Sequence, residues 1–366
     1  MIKKWILLPI VLMLWTRMVG QQVEIPFTDE AWTYPKGSEY EHVTYKGKEA
    51  LHLKRGGAFL EDVVFHNGII EMDICFSEAR GFPGIYFRIV DDLNAEEFYL
   101  RPHQSGNPDA FQYTPMFNGI AAWQLYHGPG YGQAHSYGFN QWFHLKIHIK
   151  GSQAEIYFNG EEKPSFAIPE LKLGDVQGSI GVRASLSEVY FADFSYTSSD
   201  EVELKSTFEA LPKLESNRVG EWAISGPVVE SNNLLYQNGV KSKFSVCSTE
   251  SSGLLNVAKY VKKQDSLNTA LMKLVIVSDS KQIKKLNIGY SDRARVYCNG
   301  KILYCGQRAF QSRDYRYLGT IGLFDAVYLD LKKGRNELIV AVSENFGGWG
   351  LLAAFENMDG ITLSTE

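Results

Sequence analysis

The sequence predicts an all-β chain built as two β-sandwiches in tandem, and three observations predict it. Helical periodicity is almost absent over 366 residues. Short apolar or alternating runs recur, separated by Gly-, Asn- and Pro-rich turns. A polar stretch near the middle divides two such series, each long enough for its own hydrophobic core.

The first series reads as strands at "GIIEMDICF", "GIYFRIV", "EFYLR", "WFHLKIHI", "AEIYFNG", "SIGVRA" and "VYFADFSY". "FNG" at Phe158, Asn159 and Gly160 predicts a tight hairpin turn, because Asn and Gly tolerate positive φ. Then "TSSDEVELKS" turns polar, and "TFEALPKLESNRVG" alternates poorly. The second series follows, from "WAISGPVV" to "WGLLAAFEN", with a hairpin at "VYCNGKILY" and a strand, turn and strand at "LDLKKGRNELIVAV". These limits place the first sandwich at 23–197, a linker at 198–219 and the second sandwich at 220–366.

At the amino terminus, "MIKKWILLPIVLMLWTRMVGQQ" has two lysines, a short apolar run and Gly20, the pattern of a secretory signal peptide over 1–20. A secreted or periplasmic protein is expected, with no further span of membrane. The net charge is −5, and no run of Lys or Arg marks a nucleic-acid surface. Four cysteines in this length are no disulfide framework. Cys298 and Cys305 flank a hairpin, where a bond across it and two free thiols are both open readings.

Candidate site residues come from strand alternation. In "GIYFRI", Tyr86 and Arg88 oppose Ile85, Phe87 and Ile89; in "FYLRPH", Tyr99, Arg101 and His103 oppose Phe98 and Leu100. Paired as neighbours, the two strands put Tyr86, Arg88, Tyr99, Arg101 and His103 on one face. Guanidinium forks and phenol rings suit a polyhydroxylated or acidic ligand. The same residues also suit an ordinary solvated face. Residues 111–132 read as a long aromatic loop beside that face, with Gln112, Asn118, Trp123 and His127 as further ligand contacts. A loop that packs only on itself is the other reading.

Catalytic pairs are harder to find. Glu71 and Asp73 share a strand face, but Phe76 stands where the similar Glu-x-Asp-x-x-Glu strand of laminarinase-type hydrolases has its second glutamate, and Glu78 is displaced by two. Glu96, Glu97 and Asp109 border the arginine-bearing strand, and nothing singles one out. His144, Lys146 and His148 alternate with Leu145, Ile147 and Ile149, which predicts a solvated face rather than a metal site. No cofactor is expected beyond structural calcium, for which "DDLN" at 91–94 offers oxygen ligands and equally makes a plain turn. "ENFGGWG" carries Trp349, which reads as a core residue because "LLAAF" follows, with stacking on a sugar from a loop as the other reading. No nucleophile elbow, P-loop or dinucleotide fingerprint is present.

Through "FHNGIIEMDICF", "GFPGIYFRI", "WFHLKIHIKGSQAEIYFNG", "GSIGVRA" and "VYFADFSY", the first half resembles concanavalin A-like, laminin-G-like jelly rolls, and among them the 3-keto-disaccharide hydrolase domains. Through "WAISGPV", "RVYCNGKILYCG", "LDLKKGRNELIVAV" and "GGWGLLAAF", the second half resembles the galactose-binding-like jelly rolls appended to glycoside hydrolases. The resemblance implies a carbohydrate-binding protein acting on an oligo- or polysaccharide. Its alternatives are a glycan-cleaving enzyme, a glycoside hydrolase or polysaccharide lyase, and a structural or partner-binding module.

Overall fold

The computed structural model describes residues 20–231 and 242–366. The predicted signal peptide lies outside the described residues, apart from Gly20. The chain is all-β, two sandwiches in tandem. The regular helix among the described residues is confined to the 3-10 turns Pro102–Gln104 and Val257–Lys259. Among the described residues no helix is long and apolar enough to cross a membrane.

Alternation builds the strands as expected. In Phe143–Lys150, Phe143, Leu145, Ile147 and Ile149 are buried, while His144, Lys146 and His148 stay partly exposed. The first sandwich closes through Lys48–Phe65, an 18-residue strand that belongs to both layers. Its first part pairs with Glu39–Tyr45 and Val189–Ser198, and its second with Gly178–Ala184. Gly56 stands at the changeover with φ +96°, a bend that only glycine takes without strain. Between the layers lie Leu51, Phe65, Phe87, Phe98, Phe111, Phe158 and Phe191, all fully buried.

In the second sandwich, a seven-stranded sheet faces a four-stranded one. Thr269–Ser278 and Gly334–Ser343 form the longest ladder of the larger sheet, and Gln282–Ser291 is central to the smaller. Trp222 and Trp349 fill this core, and the Trp349 indole donates to Val342 O at 2.9 Å. Cys298 opposes Lys301 and Cys305 opposes Arg295, because the hairpin turns at Asn299 and Gly300. The two thiols therefore do not meet, and all four cysteines are free.

Residues 111–132 are not one long loop. Phe111–Phe117 is a strand, and a turn at Asn118 and Gly119, both with positive φ, returns the chain through Ile120–Ala121. Pro115 hid this strand, yet it lies beside a two-residue edge strand and loses no ladder bond. Residues 122–127 project from the first sandwich and pack on the second. Ala122, Leu125 and Tyr126 form a separate apolar cluster with Leu254 and Ile321.

Candidate functional site

The site is built by ladder register. Tyr86 opposes Glu97 on one side and Gly181 on the other, Glu97 opposes Thr114, and Gly181 opposes Phe59. One step along, Gly84 opposes Tyr99 and Arg183, Tyr99 opposes Gln112, and Arg183 opposes Gly57. Residues opposite each other share a face. Phe59, Tyr86, Glu97, Thr114, Arg183, Tyr99 and Gln112 therefore line the outer face, while Ile85, Phe87 and Phe98 line the core. Gly57 and Gly181 make room for the Phe59 ring, which lies over both, and Gly84 makes room for Tyr99. A Cβ at Gly84 would come within 2.7 Å of Tyr99 Cβ.

Arg183 ties the center of the face together. Its Nη1 lies 2.8 Å from Glu97 Oε1 and donates to the Tyr86 hydroxyl at 3.0 Å. Its guanidinium sits 5.7 Å from the Tyr86 ring center and 5.3 Å from that of Tyr99. Arg101 donates to the Tyr99 hydroxyl at 2.9 Å and to Gln112 Oε1, and its other arm lies 3.4 Å from Asp109. The Tyr99 hydroxyl donates in turn to Gln112 at 2.9 Å.

Burial sets the electrostatics. Glu97 is 1% exposed, and desolvation raises its carboxyl above the usual range although Arg183 opposes this. Burial also pushes Tyr86 up to about 12. Arg183 holds its charge: burial works against it, and the neighboring Glu97 and Tyr86 more than offset that. His103 is pulled down by burial and by Arg80 and Arg101. Three buried polar atoms here have no hydrogen-bond partner: Arg183 Nε, Thr114 Oγ1 and His103 Nδ1. Orphaned buried groups are rare in folded proteins and call for an explanation.

Arg88 corrects the sequence reading. It is fully buried, with φ +50°, and the pairing register shifts just after Phe87. This irregularity breaks the alternation and turns Arg88 away from Tyr86. Its guanidinium donates to His66 O, Gly174 O and Asn67 Oδ1, which makes it a brace for two loops. Tyr86, Tyr99, Arg101 and Gln112 do come together. His103 sits beyond them, edge-on to Phe82 at 5.4 Å. Asn118 donates to Ala258 O at 2.8 Å and His127 Nε2 lies 2.9 Å from Ile321 O, so both contact the second sandwich. The Trp123 ring meets Phe310 and Phe346 of the second sandwich at 5.8 and 5.9 Å.

Arg183, Glu97 and Phe59 were not on the sequence-derived face. Alternation in "GSIGVRA" already set Arg183 opposite Ile180 and Val182; what was missing was the neighboring strand. Glu96 lies on the other side of its strand from Glu97, bonded to Tyr113 and Leu173, and burial raises it to about 7. Glu71 pairs with Lys146, and Asp73 pairs with His144 and Lys48 on the opposite layer. Asp91 accepts from Leu93 N and Asn94 Nδ2, a closed turn. Among the described residues no group of three His, Cys, Asp or Glu side chains is placed to hold a metal ion. Two open depressions lie elsewhere: one of about 660 Å³ between residues 169–175 and 208–211, one of about 400 Å³ beside His66 and Asp200. Neither gathers aromatic faces with convergent donors.

No protein-family model matches the chain, and no curated protein matches it. Among solved structures it is similar to the carbohydrate-binding module CBM66 from Bacillus subtilis, at 15% identity and a TM-score of 0.33, over 46% of this chain and 96% of that one. It is similar to the Bacillus licheniformis beta-glucanase at 11% identity and 0.35, over 49% and 99%. A Bacteroides ovatus mixed-linkage glucan GH16 protein gives 10% and 0.36, over 48% and 98%. Similarity at this level carries no argument about activity, and the functional reading rests on the side chains themselves.

Proposed function

We propose that the first sandwich binds a carbohydrate on the face formed by Phe59, Tyr86, Glu97, Tyr99, Arg101 and Arg183, in an exported protein that recognizes or helps break down an oligo- or polysaccharide. The observation that carries this is the meeting of the partly exposed Phe59 and Tyr86 rings with the Arg183–Glu97 pair, whose Arg183 Nε has no partner, on one face. Sugar rings offer an apolar C–H side to Phe59 and Tyr86 and hydroxyls to Arg183 and Glu97.

Binding is favored over hydrolysis by the carboxylates. Two-carboxylate chemistry needs a pair flanking one bond. Here Glu96 turns away from Glu97, and Asp109 stands at the far side of Arg101. Glycan cleavage keeps one support, the raised Glu97 carboxyl, which suits a general acid.

The test uses the purified protein on soluble β-glucan, xylan, arabinan, pectin and alginate, read by affinity electrophoresis and by assays for new reducing ends and unsaturated products. At least one polysaccharide is expected to retard the protein, and Arg183→Ala to weaken that retardation about tenfold or more. Products would establish cleavage. Equal retardation of the parent, Arg183→Ala and Tyr86→Ala, with circular dichroism unchanged, removes the face from the site.

A further inference from the structure

We infer that the second sandwich completes this site, and that the ligand is a glycan chain running from Tyr86 and Arg183 past Trp123 onto Phe346. The inference rests on the carbohydrate reading above and adds what the ligand must be: a chain of several sugars, not a single ring.

Gln112 makes the connection. Its carbonyl accepts from Tyr99 and Arg101 within the face, and its amide donates to Trp123 O at 2.8 Å and to Tyr126 O. The peptides of residues 123–126 are thereby fixed against the edge of the face. From there the Trp123 ring meets Phe310 and Phe346, which lie 5.6 Å from each other. Gln112 thus links Arg101 to the segment that carries the first of three clustered aromatic rings.

Phe346 is 52% exposed, yet its backbone is held firmly. The fully buried Asp292 accepts from Asn345 N at 2.5 Å and from Phe346 N at 2.8 Å. Gly347 O accepts from Gln124 N at 2.9 Å. Gly347 has φ +97°, and a Cβ there would fall 2.6 Å from the Gln124 side chain. The apolar seal between the sandwiches is made elsewhere, by Ala122, Leu125, Tyr126, Leu254 and Ile321. An exposed ring on a braced loop loses little conformational freedom when a ligand stacks on it.

The experiment titrates short and long oligomers of whichever of the five polysaccharides retards the parent protein. Phe346→Ala is expected to leave short oligomers unchanged and to weaken long ones by up to about tenfold. Phe346→Tyr should restore the long-oligomer affinity, and thermal unfolding of each variant reports folding. Equal affinities of Phe346→Ala and the parent at every length overturn the inference, while a loss in Arg183→Ala keeps the site itself. Equal weakening at all lengths also overturns it. Retardation by none of the five removes both readings together.

Discussion

The Tyr126 hydroxyl of the first sandwich donates to Glu250 of the second at 2.5 Å. Glu250 also pairs with Lys259 at 2.7 Å and with Lys172, again from the first sandwich, at 2.9 Å. Burial works against the Glu250 charge, but the two lysines overcome it and hold the carboxyl below its usual range.

Glu250→Gln should therefore be costly, because it takes the shared anion from Lys259 and from the buried Lys172, which keeps only Glu170. A loss of about 3 kcal/mol or more is expected. Urea unfolding measures it, and Tyr126→Phe should cost about 1–2 kcal/mol by the same measurement. Parent-like stability of Glu250→Gln would show that the junction is not held there.

Glu344 carries a pH dependence. It is buried, and desolvation together with Asp292 raises its carboxyl from 4.5 to about 8. The folded chain holds this proton more tightly than the unfolded chain, so its contribution is full below pH 4.5 and is lost as pH rises toward 8. Glu344→Gln should match the parent near pH 4.5 and be the more stable near pH 8, as read by Tm across that range. A gap between the two that does not widen with pH contradicts this.

Arg88→Ala separates a brace from a binding residue. Removal leaves the carbonyls of His66 and Gly174 without their side-chain donor, at about 2 kcal/mol or more. A lower Tm is expected, with glycan affinity per folded molecule unchanged. Arg101→Ala should show the reverse order, a larger effect on affinity than Arg88→Ala.

Gly347→Ala should destabilize by about 1 kcal/mol or more, because alanine resists the positive φ and meets Gln124. Urea unfolding reads this, and neutrality would mean that the loop relaxes freely.

Strand identity and the core face were legible wherever period-two alternation ran unbroken, as in Phe143–Lys150. Alternation failed at Arg88, because one residue at positive φ reverses the facing and no local composition marks it. Arg183 was hidden for another reason. Its face was readable, but its neighbors Tyr86 and Glu97 come from strands nearly a hundred residues away, and single-strand periodicity carries no register between distant segments. The destination of Trp123 was unreadable for the same reason, since its ring partners belong to the other sandwich.

Gln22 pairs with Thr197, so the first sandwich begins and ends side by side. A unit whose two ends adjoin can be spliced into a surface loop of another protein without being unwound. The proposed ligand face lies on other strands, away from that seam. With its ends paired, the sandwich has the layout of a portable cassette, and on the proposed reading its preference for long glycans would be acquired from the module it is spliced to.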